Sequence, residues 1–70
     1  MTTKQIIDMA CSHAGISQAE MARRIGISPS NFNQKIRRDS LTPDEWAKAA
    51  NAVNGTFIMQ IRFDDGMVLE

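Results

Sequence analysis

Cysteine, histidine and long apolar runs are scarce in this sequence. It contains one Cys and one His among 70 residues, so we expect neither an internal disulfide nor a zinc site. No apolar run approaches the roughly 20 residues that a membrane-spanning helix needs. The N-terminus also lacks the order of charged, apolar and small residues that is typical of a signal peptide. We therefore expect a cytoplasmic protein without a membrane segment.

A catalytic constellation is missing as well. Cys11 and His13 lie two positions apart on a predicted helix, so their side chains do not face each other. There is no glycine-rich phosphate loop, and Asp64 and Asp65 are better explained by a turn. We predict no enzyme activity, no catalytic residue, no cofactor and no metal, and the sequence indicates no small-molecule pocket.

The short length points to a partner subunit. A chain of 70 residues forms one domain with a marginal core, which disulfides, metals or association commonly supplement. Because the first two are excluded here, association is the stabiliser left to consider.

The zero net charge hides a strong local asymmetry. Residues 21–38 contain five of the eight basic residues and no acidic one, whereas residues 39–70 contain six acidic residues and two basic ones. A phosphate backbone interacts with the local field and not with the total charge. The basic segment is therefore a candidate nucleic-acid surface.

Apolar periodicity and capping residues predict four helices. Residues 3–14 have helical spacing and are followed by Gly15, a residue that commonly ends helices. The second helix is predicted over residues 18–25, where Ser17 and Glu20 match a capping box. The third, over residues 29–38, starts with a Ser-Pro pair, and the fourth, from Pro43 to about Val53, starts with Thr-Pro-Asp-Glu. The predicted inward side chains of helices 2 to 4 are Met21, Ala22, Ile25, Phe32, Ile36, Trp46, Ala49, Ala50 and Val53.

The last fifteen residues change to a period of two. Apolar residues alternate from Phe57 to Phe63, and Asp65-Gly66 is a favoured type I′ turn pair. We predict a β-hairpin whose apolar side chains exceed what a lone ribbon covers. One surface should pack on the helices and another should meet a partner, most simply a second copy; alternatively, the hairpin only caps the monomer core. The predicted dimerisation residues are Phe57, Ile58, Met59, Ile61, Phe63, Val68 and Leu69.

Helices 2 and 3 form a helix-turn-helix, the unit that places its second helix in the major groove of DNA. Helix 3 carries Asn and Gln, which bind adenine edges through paired hydrogen bonds, together with Lys and Arg, which reach guanine or phosphate.

The pattern of Gln18, Ala22, Gly26, Ile27 and Phe32 resembles the Cro and lambda-repressor type of helix-turn-helix family, often called XRE-like, over roughly residues 3–54. The resemblance implies that Gln18 contacts phosphate and braces the recognition helix, and that many members act as dimers. The base contacts that it implies are Pro29, Ser30, Asn31, Asn33 and Gln34. The predicted phosphate contacts are Gln18, Arg23, Lys35, Arg37 and Arg38.

The sequence departs from that family pattern at two places. Pro29 stands where the first base-facing residue is often Gln or Arg, so only apolar contact is available there. The usual fifth helix is replaced by the predicted hairpin, an arrangement that is more like Cro, whose C-terminal strand builds the dimer.

We therefore predict a mainly α fold, a four-helix lambda-repressor-like helix-turn-helix domain over residues 1–55 with a C-terminal β-hairpin over residues 56–70. The predicted function is that of a sequence-specific transcriptional regulator of bacterial or phage type, which binds double-stranded operator DNA as a homodimer. The alternative is a protein-interaction module, an antitoxin or adaptor, whose hairpin binds another protein.

Overall fold

Four helices are followed by one small antiparallel hairpin in the computed structural model, which describes residues 1–69. This confirms the prediction of a mainly helical helix-turn-helix domain with a C-terminal hairpin. None of the helices in residues 1–69 is long and apolar enough to cross a membrane. The elements are α1 Thr3–Ala14, α2 Gln18–Arg24, α3 Pro29–Arg37, α4 Pro43–Ala52, β1 Ile61–Arg62 and β2 Val68–Leu69.

Each helix begins at a hydroxyl side chain that satisfies a backbone amide left without a partner in the first turn. Thr2, Ser17, Ser28 and Thr42 each accept a hydrogen bond from the amide three residues further on. The capping box is complete at α1 and α4. At α2 only half of the predicted box forms, because the Glu20 carboxylate binds Arg23 and Arg24 instead of returning to the Ser17 amide.

Each helix also ends in the same way. A residue with positive φ follows the last turn, namely Gly15, Gly26, Asp39 and Asn54. The next amide then donates to the carbonyl five residues before it, as Ile27 does to Ala22 at 3.0 Å. These stops place the helix ends one residue earlier than predicted for α2, α3 and α4.

The core lies where α1, α2, α3 and α4 meet. Its buried side chains are Ile7, Cys11, Met21, Ala22, Phe32, Ile36 and Ala49. Ile25, Trp46, Ala50 and Val53 were also predicted to face inward and are half-buried. Cys11 is a small core side chain whose thiol lies 3.8 Å from the Met21 sulfur, and burial raises the pKa of this thiol.

The hairpin is shorter than predicted and turns differently. Among residues 1–69 the strands form two residue pairs, with Ile61 opposite Leu69 and Arg62 opposite Val68. Residues 56–60 form no strand, and Glu70, the end of the predicted hairpin, lies outside the described residues. The Gly66 amide donates to the Phe63 carbonyl at 3.0 Å.

The loop of the hairpin therefore has three residues, 64–66, and the predicted type I′ turn at Asp65-Gly66 is wrong. A type I′ turn needs positive φ at both central residues, but only Gly66 has it, at 94°. The Asp65 carboxylate instead accepts the Met67 amide at 2.9 Å, which holds Asp65 in the conformation of an Asx-turn.

Candidate nucleic-acid interface

The turn between α2 and α3 fixes the position of the third helix. Gly26 at φ 81° ends α2, and the Ser28 hydroxyl accepts the Asn31 amide to start α3. On either side of the turn, Met21 and Phe32 have no exposed surface. Because buried packing leaves a side chain little freedom, α3 is held rigidly against α2.

The face of α3 that points away from the core is polar. At about 100° per residue, Gln34 lies opposite the direction of the buried Phe32 and Ile36, with Ser30 and Arg38 beside it. The five predicted base-contacting residues, 29–31, 33 and 34, are all exposed on α3. The structure places all five on α3, with Gln34 at the centre of the polar face, Ser30 and Asn31 near it and Asn33 at its side. Pro29, in the first turn, lies closer to the direction of the buried side chains.

The amides on this face are available for an external partner. Within residues 1–69, the side chains of Asn31, Asn33 and Gln34 make no hydrogen bond. Amide groups that are exposed and not hydrogen-bonded to protein can donate and accept at a base edge without breaking an internal contact.

The five basic residues of the positive segment divide into two groups. Arg37 and Arg38 have no ion-pair partner within the described part of the chain. Lys35 forms an ion pair with Glu45 on α4. Arg23 and Arg24 both pair with Glu20, at 3.4 Å and 3.2 Å. The free positive charge is therefore concentrated at the C-terminal end of α3.

Glu45 has two structural roles at once. One carboxylate oxygen accepts the Thr42 amide at 3.0 Å and completes the capping box of α4, while the other binds the Lys35 ammonium. Hydrogen bonds from Lys35 and Thr42 hold the pKa of the Glu45 carboxyl below its ordinary value. Sequence reasoning missed this pair, because the two residues are ten positions apart and on different helices.

Arg24 is a structural brace that sequence reasoning also missed. Its guanidinium donates to the Ala52 carbonyl at the end of α4, at 2.9 Å, and to the Glu20 carboxylate at 3.2 Å. The first bond satisfies a carbonyl that the helix leaves unpaired and places positive charge at the negative end of α4. Side-chain hydrogen bonds from Arg24 and Arg23 lower the pKa of the Glu20 carboxyl.

An open polar hollow lies beside the exposed face of α3. It has a volume of about 270 Å³ and is lined by Asn31, Gln34, Lys35, Arg38 and Ser40. Ser40 was not among the predicted contacts, although it follows the basic run directly in sequence. Gln18, the predicted brace, is half-buried at the first position of α2.

Most of the predicted dimerisation residues are exposed, with one exception. Ile58, Met59, Ile61, Phe63, Val68 and Leu69 are all exposed. Phe57 instead stacks on Trp46 with ring centroids 5.6 Å apart and an interplanar angle of 9°. Its ring is used within the monomer, where it attaches the segment before the hairpin to α4.

Comparison with protein families matches this chain to the model described as winged helix-turn-helix DNA-binding, over residues 2–38. That range contains α1, α2 and α3 and slightly more than half of the chain, and the hairpin lies outside it. The match supports a helix-turn-helix DNA-binding family and does not single out the Cro and lambda-repressor type. Comparisons with curated proteins and with solved structures find no match.

Proposed function

We propose that this chain, which belongs to the winged helix-turn-helix DNA-binding family, is a sequence-specific transcriptional regulator of bacterial or phage type that binds operator DNA as a dimer. The observation that carries the proposal is the exposed amide face of α3, free of internal hydrogen bonds and adjacent to Arg37 and Arg38. The arrangement of four helices around an inner helix-turn-helix also supports kinship with the Cro and lambda-repressor type.

Base reading is assigned to the central side chains of the exposed face. Gln34 and Asn31 can each form two hydrogen bonds with an adenine edge, while Ser30 adapts to either base of a pair. Asn33 reads from the side of the helix, and Pro29 offers apolar contact, for example with a thymine methyl. Amide readout favours sites that contain A·T pairs.

Phosphate contact is assigned chiefly to Arg37 and Arg38, with Gln18 approaching the backbone from α2. Lys35 is already ion-paired with Glu45, and Arg23 is already ion-paired with Glu20. These two cations therefore contribute less to the positive field. An ion pair must be broken or shared before such a cation neutralises a phosphate, which offsets part of the Coulomb gain.

The hairpin is assigned to protein contact and not to DNA. Its loop carries two carboxylates, Asp64 and Asp65, which repel a phosphate backbone, and its strands expose apolar side chains. A dimer formed through this part of the chain would present two copies of α3 about 34 Å apart, the spacing of successive major grooves.

The exposed apolar hairpin also favours a second candidate, a protein-interaction module of antitoxin or adaptor type. Retention on heparin separates the two functions. A DNA regulator is retained in a salt-dependent manner despite a pI near 6.6, because the basic face binds polyanions. An adaptor that does not use this face elutes at low salt.

The direct test is selection of preferred duplexes from a random DNA pool at two salt concentrations, with wild type, Arg37→Ala and Gln34→Ala. Wild type is expected to enrich a palindrome with half-sites about ten base pairs apart. Arg37→Ala should weaken all duplexes alike, whereas Gln34→Ala should cost about 1–3 kcal/mol of discrimination at one position of each half-site.

Two outcomes would contradict the proposal. If nothing is enriched and weak binding disappears at moderate salt, α3 is only an electrostatic surface. If both substitutions weaken cognate and random duplexes equally, the division between base and phosphate contacts is wrong.

A further inference from the structure

Apolar surface is concentrated on one part of the molecule. Among residues 1–69, every exposed large apolar side chain other than Met1 lies on α1 or in residues 58–69. On α1 these are Ile6 and Met9, three positions apart and so on adjoining parts of the helix surface. Helices α2, α3 and α4 expose none, so this surface is separate from the recognition helix.

One face of the hairpin is entirely apolar. The strand register pairs Ile61 with Leu69, and side chains two positions apart on a strand share a face, which adds Phe63 and Met67. These four residues are 44% to 58% exposed. The hairpin therefore presents an apolar face that the monomer leaves uncovered.

The monomer also contains an apolar cleft that no side chain of residues 1–69 fills. The cleft has a volume of about 270 Å³ and lies between α1, α4 and residues 55–58. Ile6 and Ala10 form one wall, Trp46 and Val53 the other, and Ile58 lies at the edge next to the hairpin. The exposed side chains of α1 extend this surface beyond the cleft.

The available area decides between two ways of pairing the hairpins. Taking about 200 Å² for a fully exposed large side chain, two hairpin faces packed on each other bury at most ~800 Å² in total. Stable interfaces bury about 1,200–2,000 Å². Adding Ile6, Met9 and Ile58 of both copies raises the total to about 1,500 Å², which is within the range of a stable dimer.

We propose that the apolar hairpin face of one copy packs into the cleft between α1 and α4 of a second copy, and that the second hairpin does the same in return. This rests on the proposed function, in which the chain acts as a dimer, and it names the surface that receives the hairpin. The contact is isologous, as two-fold symmetry requires.

The test is the dimer dissociation constant of the full chain, measured by sedimentation equilibrium. Met9→Lys changes the receiving surface and Phe63→Glu changes the hairpin face; both positions are exposed, so the monomer keeps its fold, as circular dichroism will verify. Each is expected to raise the dissociation constant about 30-fold or more, as for a central interface residue. The controls Asp44→Asn, on the side of α4 away from the cleft, and Arg62→Gln, on the other face of the hairpin, make the same charge changes outside the proposed contact and should stay within about threefold.

Mixing the two variants tests reciprocity. In a mixed dimer, the unchanged hairpin of the Met9→Lys copy packs into the unchanged cleft of the Phe63→Glu copy. In the second contact, the introduced Glu lies against the introduced Lys. At a concentration where neither variant alone is dimeric, Met9→Lys and Phe63→Glu should therefore form a dimer together. No dimer in the mixture, sensitivity to Phe63→Glu alone, or a monomeric wild type at all concentrations would each overturn the proposal.

DNA binding is measured separately on a random-sequence duplex at low salt, so the two ideas fail independently. Salt-dependent binding by a wild type that does not pair in this way leaves the DNA-binding function standing and removes the interface. If the two variants form the mixed dimer but the wild type binds no DNA, the interface stands and the DNA-binding function is removed.

Discussion

Replacing Glu45 with Gln should make DNA binding tighter and more salt-dependent, although Glu45 is not expected to touch DNA. In the wild type its carboxylate binds the Lys35 ammonium and so neutralises a charge beside the recognition helix. Gln keeps the capping box of α4, because its amide oxygen accepts the Thr42 amide in the same way. The substitution therefore frees Lys35 without removing the helix start.

The size of the effect follows from counterion release. Each phosphate contact contributes about −0.9 to the slope of log affinity against log salt concentration. If Arg37 and Arg38 make the contacts in each subunit of a dimer, the wild-type slope is about −3.6. Freeing Lys35 in both subunits makes it steeper by about 1.8, so that between 50 and 200 mM salt the variant loses about 12-fold more of its affinity than the wild type.

The assay is fluorescence anisotropy of a labelled random-sequence duplex over that salt range. The matched control is Asp44→Asn, which removes a carboxylate from the same helical turn. The ion-pair partner of that carboxylate is Lys48 on α4 and not a residue of α3. Lys35→Gln is the second control and should leave the wild-type slope nearly unchanged, in contrast to Arg37→Gln. An unchanged or shallower slope for Glu45→Gln, with helix content preserved, would refute the reasoning.

Three further predictions concern stability. Gly26→Ala should lower the free energy of unfolding, measured by urea denaturation, by about 1 kcal/mol. The space around Gly26 is open, but Ala is strained at its φ of 81°. The control Gly55→Ala should cost less, because Gly55 does not have a positive φ. Phe57→Ala should cost about 2 kcal/mol and red-shift the emission of Trp46, because the stacked ring is lost, and an unchanged spectrum would contradict the stack. Because the pKa of Glu45 is lowered, its charged carboxylate stabilises the folded state. This contribution to the free energy of unfolding is complete above the ordinary pKa of 4.5 and is lost as pH falls through the folded pKa. The stability difference between wild type and Glu45→Gln should therefore shrink below about pH 4.5, and a difference that stays constant in acid would count against the ion pair.

Helix limits were predictable because the residues that set them act over a few positions. Ser28 caps α3 through an amide three residues away, and Gly26 ends α2 through its own φ. The pair Thr2 and Gln5 at the start of α1 also matches a capping box in sequence and was overlooked. The hairpin turn was mispredicted because Asp-Gly suits both a two-residue turn and a three-residue loop, and the Asp65 contact with the Met67 amide favours the second.

The sequence by itself determined the four helices, the helix-turn-helix and the polar composition of α3, since these depend on periodicity and caps within one or two helical turns. Only the tertiary structure decided which charges on that helix are free, because Lys35 meets Glu45 ten residues away on a different helix. It also decided that Arg24 braces Ala52 across 28 residues and that Phe57 stacks within the monomer while the hairpin beyond it stays uncovered. Such contacts depend on how the helices pack in space, and the spacing of residues along the chain carries no measure of that distance.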